Sequence, residues 1–335
     1  MNWTVAIGID THRDIHVAFA LDRMGRELGS LEVETTQEGS EKLLAFASSL
    51  GEPAFVIEGT GSYGAGLTRF LVEAGCEVYE CERPRRRSRR QSKSDLIDAR
   101  KAGARLVAGE RIAFPRSFGK REQLKALLSE RRACVQACTQ AKNSLRALLV
   151  TAPEPLRREL RQLTAERLVS ACLELEAAGY AGCLVRISER IGHLKEELRQ
   201  IDRELEHLTR SLSPRLLEEL GVGPVVAAQI IVSAGDASRI RSEAAFAALA
   251  GTSPVEASSG LVKRHRLNRG GDRQLNWAMH TACLVRIRFH EETRSYYERL
   301  LERGKTKREA IRCVKRMFCR RLYRVLVEER SLCGT

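Results

Sequence analysis

Val5-Ala6-Ile7-Gly8-Ile9-Asp10 is a run of apolar and small residues that closes on a carboxylate. Such a run reads as a buried strand with an acid at its end. Two more β-rich runs follow, Ile15 to Leu21 and Leu28 to Thr35, and the three together read as a meander. A helical segment from Ser40 to Leu50 leads into the strand Ala54-Phe55-Val56-Ile57-Glu58. A helix from Gly64 to Ala74, a strand from Glu77 to Glu82 and a further helix complete the pattern.

The resulting order, βββαβαβα, predicts an α/β ribonuclease-H-like domain, a mixed sheet with helices on its faces. Fold alone does not establish function. Beyond about residue 120 the period changes to that of long helices, with Leu124, Leu127, Cys134, Cys138, Ala141, Leu145 and Leu148 spaced in heptad fashion and one break at Arg131. Leu184, Ile187, Ile191, Leu194, Leu198, Ile201, Leu205, Leu208 and Leu212 then alternate steps of three and four, which predicts a coiled coil. The pattern leaves open whether it closes within one chain or between chains, and oligomerisation is the favoured reading. A mainly α unit begins at Pro214 and ends in a basic helix carrying Arg308, Arg312, Lys315, Arg316, Arg320 and Arg324. The expected domains are therefore 1–113, a helical coiled-coil connector at 114–213, and 214–335.

With 57 Lys and Arg against 43 Asp and Glu, the 335 residues carry a net charge of +14. The excess is clustered: residues 83–105 hold ten basic side chains against two acidic, and residues 261–324 hold nineteen against six. Two basic blocks point to nucleic acid as partner. Ten cysteines without a CxxC pair or a signal peptide read as reduced thiols. A metal site at Cys134 and Cys138 lacks nearby partners. No apolar run approaches the ~20 residues that span a bilayer, so a soluble, cytoplasmic protein with no membrane association is expected.

Asp10 and Glu58 end two strands, and Asp95 and Asp98 lie one turn apart at the start of a helix. In a ribonuclease-H-like sheet these places converge. Taken singly, each carboxylate reads as a solvated surface charge. Taken together, four carboxylates repel unless cations sit among them, and Mg²⁺, or Mn²⁺, suits hard oxygen donors beside a scissile phosphate. Arg85, Arg86, Arg87, Arg89, Arg90 and Lys93 flank the Asp pair, where a DNA backbone would approach; a solvated loop is the plain alternative.

In the C-terminal unit, Leu220-Gly221-Val222-Gly223-Pro224 reads as a turn feeding a helix. Gly221 and Gly223 would let backbone amides approach a phosphate, as in a helix-hairpin-helix, or would simply connect two helices. Further on, Ser258 and Ser259 precede Lys263, Arg264, His265, Arg266 and Arg269. A serine among arginines can attack phosphate, although most loop serines are turn residues. His265 reads as a phosphate contact or turn residue rather than a general base.

At these residues the sequence resembles the insertion-sequence transposases of the IS-one-ten group. Gly8-Ile9-Asp10 with Arg13 is similar to the first acidic motif of that family, where Lys is more usual than Arg. Val56 to Tyr63 resembles the second, and Lys93-Ser94-Asp95-Leu96-Ile97-Asp98-Ala99-Arg100 the third. Leu249-Ala250-Gly251-Thr252-Ser253-Pro254, then Ser259-Gly260 and Gly270-Gly271, is similar to the family's transposase domain.

The resemblance implies a RuvC-like DEDD domain and a nucleophilic serine preceding a glycine. That points to Ser259, with Ser258 one residue away and Ser253 a weaker competitor. It further implies that Asp10, Glu58, Asp95 and Asp98 hold Mg²⁺ on the scissile phosphate while the serine forms a covalent link to DNA. The two would come from different subunits of a homo-oligomer, a dimer or a synaptic tetramer. A noncoding bridge RNA would pair with donor and target DNA, and the basic blocks would grip backbone and RNA shape. Two rivals use the same residues differently: a structure-selective endonuclease with water as nucleophile, and a noncatalytic nucleic-acid-binding scaffold.

Overall fold

The computed structural model describes residues 3–81, 95–110, 112–115, 119–235, 239–256, 265–266, 268 and 270–333. The chain forms two compact units, Met1–Arg121 with Val232–Phe246, and Glu122–Ile231 with Ala247–Thr335.

In the first unit the elements are β1 (Val5–Thr11), β2 (Ile15–Asp22), β3 (Glu27–Glu34), α1 (Gln37–Ser49), β4 (Pro53–Glu58), α2 (Ala65–Glu73), β5 (Glu77–Cys81) and α3 (Asp95–Val107). The sheet order is β3-β2-β1-β4-β5. β1 pairs antiparallel with β2 and parallel with β4, which pairs parallel with β5. This is the ribonuclease-H-like mixed sheet that the order of sequence patterns predicts.

Both faces of the central strands are covered, which is why β1 and β4 read as continuous apolar runs rather than alternating ones. On one face Ile7, Ile9, Phe55 and Ile57 pack with Leu43 and Ala47 of α1 and Leu67 and Leu71 of α2. On the other, Ala6, Ala54, Val56 and Tyr79 pack with Ala99, Ala102 and Leu106 of α3. Burying a Leu, Ile or Phe side chain fully contributes roughly 1.5–3 kcal/mol, so this double-sided core anchors the strand ends that carry the acids.

α1 starts at Gln37, three residues before the apolar pattern suggests, because Thr36 caps it: the Thr36 side chain accepts a 3.0 Å hydrogen bond from the Gly39 amide. In this same unit Arg239 Nη1 lies 2.8 Å from Glu80 Oε2 on β5.

The remaining elements are α4 (Lys120–Val150), α5 (Glu154–Leu160), α6 (Ala165–Leu173), α7 (Gly179–Leu212), α8 (Pro214–Glu218), α9 (Pro224–Ala234), α10 (Glu243–Leu249), β6 (Val255–Glu256), β7 (His265–Arg266), α11 (Arg273–Phe289), α12 (Glu291–Glu302) and α13 (Lys307–Cys333). The two long helices run antiparallel against each other within the chain. Cys134 Sγ meets the Leu194 carbonyl at 3.3 Å, and the Tyr180 hydroxyl donates to the Leu148 carbonyl at 2.6 Å. Near the far end Arg131 bonds Asp202.

The buried stripe of α4 is Leu124, Leu128, Cys134, Cys138, Ala141, Leu145 and Leu149. Leu128 and Leu149 are buried, while Leu127 and Leu148, which the heptad spacing predicts, are half-buried beside them. The cysteines whose side chains are described are free thiols. No helix among the described residues is long and apolar enough to cross a membrane.

Candidate metal centre

The alternation of strand side chains decides where the acids point. Ala6 and Asp10 share one face of β1, and Ala54, Val56 and Glu58 share the same face of β4. That is the face α3 covers. In the parallel register Ile9 lies opposite Ile57, so Asp10 and Glu58 are neighbours at the carboxyl ends of adjacent strands. Thr11 Oγ1 pins the two ends together by donating to the Glu58 carbonyl at 2.6 Å.

α3 brings its first turn, which holds Asp95 and Asp98, to the same edge. Asp10 and Asp95 converge there with a third residue, His12. Single ligand atoms of Asp10, His12 and Asp95 all lie within 4.8 Å of one another. His12 Nε2 is 3.2 Å from Asp10 Oδ2 and 3.4 Å from Asp95 Oδ1. The Asp10 side chain is 11% exposed, whereas those of His12 and Asp95 are 43% and 52% exposed, so the cluster has a buried floor and an open mouth.

Glu58 and Asp98 stand beside this cluster rather than within it. Asp98 is turned along its own helix, where Lys101 Nζ donates to Asp98 Oδ1 at 3.0 Å. Arg13 is exposed and pairs with its neighbour Asp14. His12 is the residue the sequence reading missed. The available signal was the strand period of two, which carries the face of Asp10 on to position 12.

The donor set fits a divalent cation. An octahedral ion held at about 2.1 Å needs cis donors roughly 3.0 Å apart and trans donors roughly 4.2 Å apart. The observed separations fall in or near that range, with exposed positions left for water or a phosphate oxygen.

The other expected site residues divide by what is described. Arg85, Arg86, Arg87, Arg89, Arg90 and Lys93 lie outside the described residues, as do Ser258, Ser259, Lys263, Arg264 and Arg269. Arg266 belongs to β7, opposite Val255 of β6, and its backbone alone is described. The stretch between these two strands holds both serines.

The frame around that stretch is tightly held. The Asp272 amide donates to the Leu249 carbonyl at 2.7 Å, and Asn276 Nδ2 donates to the Ala250 carbonyl at 2.7 Å. Asn276 in turn accepts a 2.9 Å bond from Lys315 Nζ. Lys315, counted above with the basic helix, is 6% exposed and serves this internal chain of bonds instead. Ser253 belongs to the turn after α10, its amide donating to the Ala247 carbonyl.

Gly221 has φ +88°, and a Cβ there would lie 2.6 Å from the Ala282 carbonyl oxygen of α11, so packing of the turn onto that helix requires a glycine. A Cβ at Gly223 would meet nothing within 4 Å among the described residues.

Comparison with known proteins agrees with this geometry. A family model for transposases of the DEDD type matches residues 7–153, a span that includes Asp10, Glu58, Asp95 and Asp98. A second model, described as Transposase IS116/IS110/IS902 family, matches residues 213–298. A 119-residue stretch is 34% identical to the insertion element IS110 uncharacterized 43.6 kDa protein of Streptomyces coelicolor, covering 35% of this chain and 29% of that relative. With both halves matched and the acidic edge assembled on a ribonuclease-H-like sheet, the chain belongs to the IS116/IS110/IS902 family of transposases.

Proposed function

We propose that this chain is a transposase that cuts and rejoins DNA strands at a divalent-metal centre carried by Asp10, Glu58, Asp95 and Asp98, with Ser259 as nucleophile. The observation that carries the reading is the gathering of ligand atoms from Asp10, His12 and Asp95 within 4.8 Å at the open edge of the sheet. Mg²⁺ or Mn²⁺ bound there would polarise the scissile phosphodiester and stabilise the developing charge.

The chain's own residues divide the remaining work. Asp10, fixed on a buried strand, and Asp95, on the first turn of α3, hold the acidic edge in place. Glu58 and Asp98 would complete it from the adjoining strand and from the same first turn of α3. Arg85, Arg86, Arg87, Arg89, Arg90 and Lys93 grip the phosphate backbone, as do Lys263, Arg264, Arg266 and Arg269 beside the serine. The amides about Gly221 and Gly223 add a further backbone contact.

Ser259 Oγ attacks phosphorus and loses its proton. The bond from phosphorus to one sugar oxygen breaks, and that oxygen leaves protonated as a hydroxyl. The seryl phosphodiester retains the energy of the cut strand, and attack by a hydroxyl of a second strand releases the serine. The protein would act in the cytoplasm as a homo-oligomer, a dimer or a synaptic tetramer, guided by a noncoding RNA that pairs with donor and target DNA.

The test is recombination of a supercoiled donor with its target by Ser259→Ala, Ser258→Ala and Asp95→Asn. Ser259→Ala should abolish both strand exchange and the covalent protein–DNA adduct seen on denaturing gels, while Ser258→Ala retains them. Cleavage retained by Ser259→Ala would mean that water is the nucleophile. Unimpaired recombination by Asp95→Asn would remove the metal centre from the reaction.

A further inference from the structure

We infer that His12 is itself a metal ligand, and that its nitrogen biases the centre toward Mn²⁺ over Mg²⁺. The inference rests on the metal-centre reading and deepens it. Four acids supply oxygen alone, the donor set that Mg²⁺ favours. This chain places an imidazole between two of them.

His12 continues the face of Asp10 two residues on, immediately after β1 ends at Thr11. Its backbone is fixed there, since the His12 amide donates to the Ile15 carbonyl at 3.0 Å to close the β1–β2 turn. Nε2, the ring nitrogen farther from the backbone, lies between the carboxylates at 3.2 and 3.4 Å. A residue whose only task was to be solvated would turn its ring outward from a turn as open as this one. An ion seated among the three would meet Nε2 as a neutral lone pair.

Imidazole suits first-row transition ions, whereas Mg²⁺ is held by carboxylate, carbonyl and water. Replacing His12 should therefore weaken Mn²⁺ binding much more than Mg²⁺ binding. A hydrogen-bonding spacer that merely holds the two carboxylates apart would affect both ions alike, because the arriving ion would displace it.

The experiment uses the full chain without nucleic acid, titrated calorimetrically with MnCl₂ and separately with MgCl₂, together with pulsed electron paramagnetic resonance of the Mn²⁺ complex. The parent should show ¹⁴N coupling from a directly bound imidazole. His12→Ala should lose that coupling and bind Mn²⁺ roughly tenfold more weakly, with Mg²⁺ affinity changed by less than about threefold. The ring is half exposed, so this variant should keep the parent's circular dichroism spectrum. Asp10→Asn serves as the reference and should lose both ions.

If Asp10→Asn loses both ions but His12→Ala keeps the parent's Mn²⁺ to Mg²⁺ ratio, or keeps its ¹⁴N coupling, the inference about His12 is wrong and the metal centre stands. If Asp10→Asn binds both ions as the parent does, the ion lies elsewhere and both readings fall.

Discussion

Gly103 on α3 meets Gly8 on β1 backbone to backbone: a methyl group on Gly8 would lie 2.3 Å from the Gly103 amide nitrogen and 2.0 Å from the Ala99 carbonyl oxygen. Neither neighbour can swing aside, because both are main-chain atoms of a helix. This contact sets how closely α3 lies on the sheet, and so how near Asp95 comes to Asp10. Gly8→Ala should push the helix away at a cost of about 1–3 kcal/mol. It should also remove the thermal stabilisation by added Mn²⁺ that the proposed metal centre predicts for the parent. Gly66→Ala is the control, since a Cβ there meets nothing within 4 Å among the described residues, and in helix α2 it should stabilise by roughly 0.5–1 kcal/mol. Melting curves with and without Mn²⁺ decide; an undiminished Mn²⁺ shift in Gly8→Ala would break the link between this contact and the centre.

In the second unit Glu219 is 7% exposed and takes Arg321 Nε at 2.6 and 2.7 Å, with Arg286 Nη1 3.6 Å from its Oε2. Arg286 is 4% exposed, donates to the Leu220 carbonyl at 3.1 Å and lies over the Phe318 ring. Glu219→Ala should cost about 3–5 kcal/mol, because it leaves the buried Arg286 charge without its counter-ion. Arg286→Met, which replaces that charge with apolar volume, should cost much less. Arg321→Ala should cost no more than about 1 kcal/mol, since that side chain is largely in solvent. Denaturant midpoints of the three variants give the order, and equal losses would contradict it.

What the sequence made legible follows from which forces leave a periodic trace. The strand order was readable because β1 and β4 are covered on both faces and so appear as unbroken apolar runs. Asp10 and Glu58 stood out as acids ending such runs, and Asp95 with Asp98 as a pair one turn apart. His12 was passed over because a histidine in a turn carries no pattern until the face of Asp10 is followed past the strand end. Lys315 and Arg286 were hidden for a different reason. Charge counts treat every cation as solvated, and only tertiary partners, Asn276 for one and Glu219 for the other, make burial tolerable. The start of α1 was missed because the cap at Thr36 is polar and falls outside the apolar stripe. The excursion of residues 232–246 into the first unit, with Arg239 on Glu80, is a long-range contact with no local signature.

His16 sits buried between Thr11 and Val33 of the flanking strands, with no hydrogen-bond partner for Nδ1 among the described residues. Burial pushes its pKa down, an effect partly offset by the Ile15 backbone and reinforced by nearby His12. Above the unfolded value of about 6.5 both states are neutral there. As pH falls below that value, the unfolded chain takes up a proton that the folded chain refuses, so stability declines with acidification. The decline attributable to one such group is at most about 1.4 kcal/mol per pH unit. His16→Val keeps the strand and removes the proton site, so urea midpoints between pH 7 and pH 5 should fall less steeply than in the parent. An equally steep fall in the variant would assign the pH dependence to other groups.

Arg131 interrupts the apolar stripe of α4, and its Nε reaches Asp202 Oδ1 on α7 at 2.6 Å. The two side chains are 27% and 43% exposed, so the pair is partly desolvated, yet Asp202 keeps substantial contact with water. Arg131→Leu restores the repeat and buries apolar area where a charge stood, while leaving Asp202 hydrated. Stability should therefore hold, or rise by about 1–2 kcal/mol, as happens when ion pairs give way to well-packed apolar residues. Asp202→Ala takes the other side of the comparison: it leaves the more enclosed guanidinium without a partner and should cost about 1 kcal/mol. The opposite signs are the point of the pair, because a simple count of contacts expects both variants to lose stability. A loss of more than about 2 kcal/mol in Arg131→Leu would mean that the ion pair fixes the register of the two helices, as single polar residues do in some coiled coils.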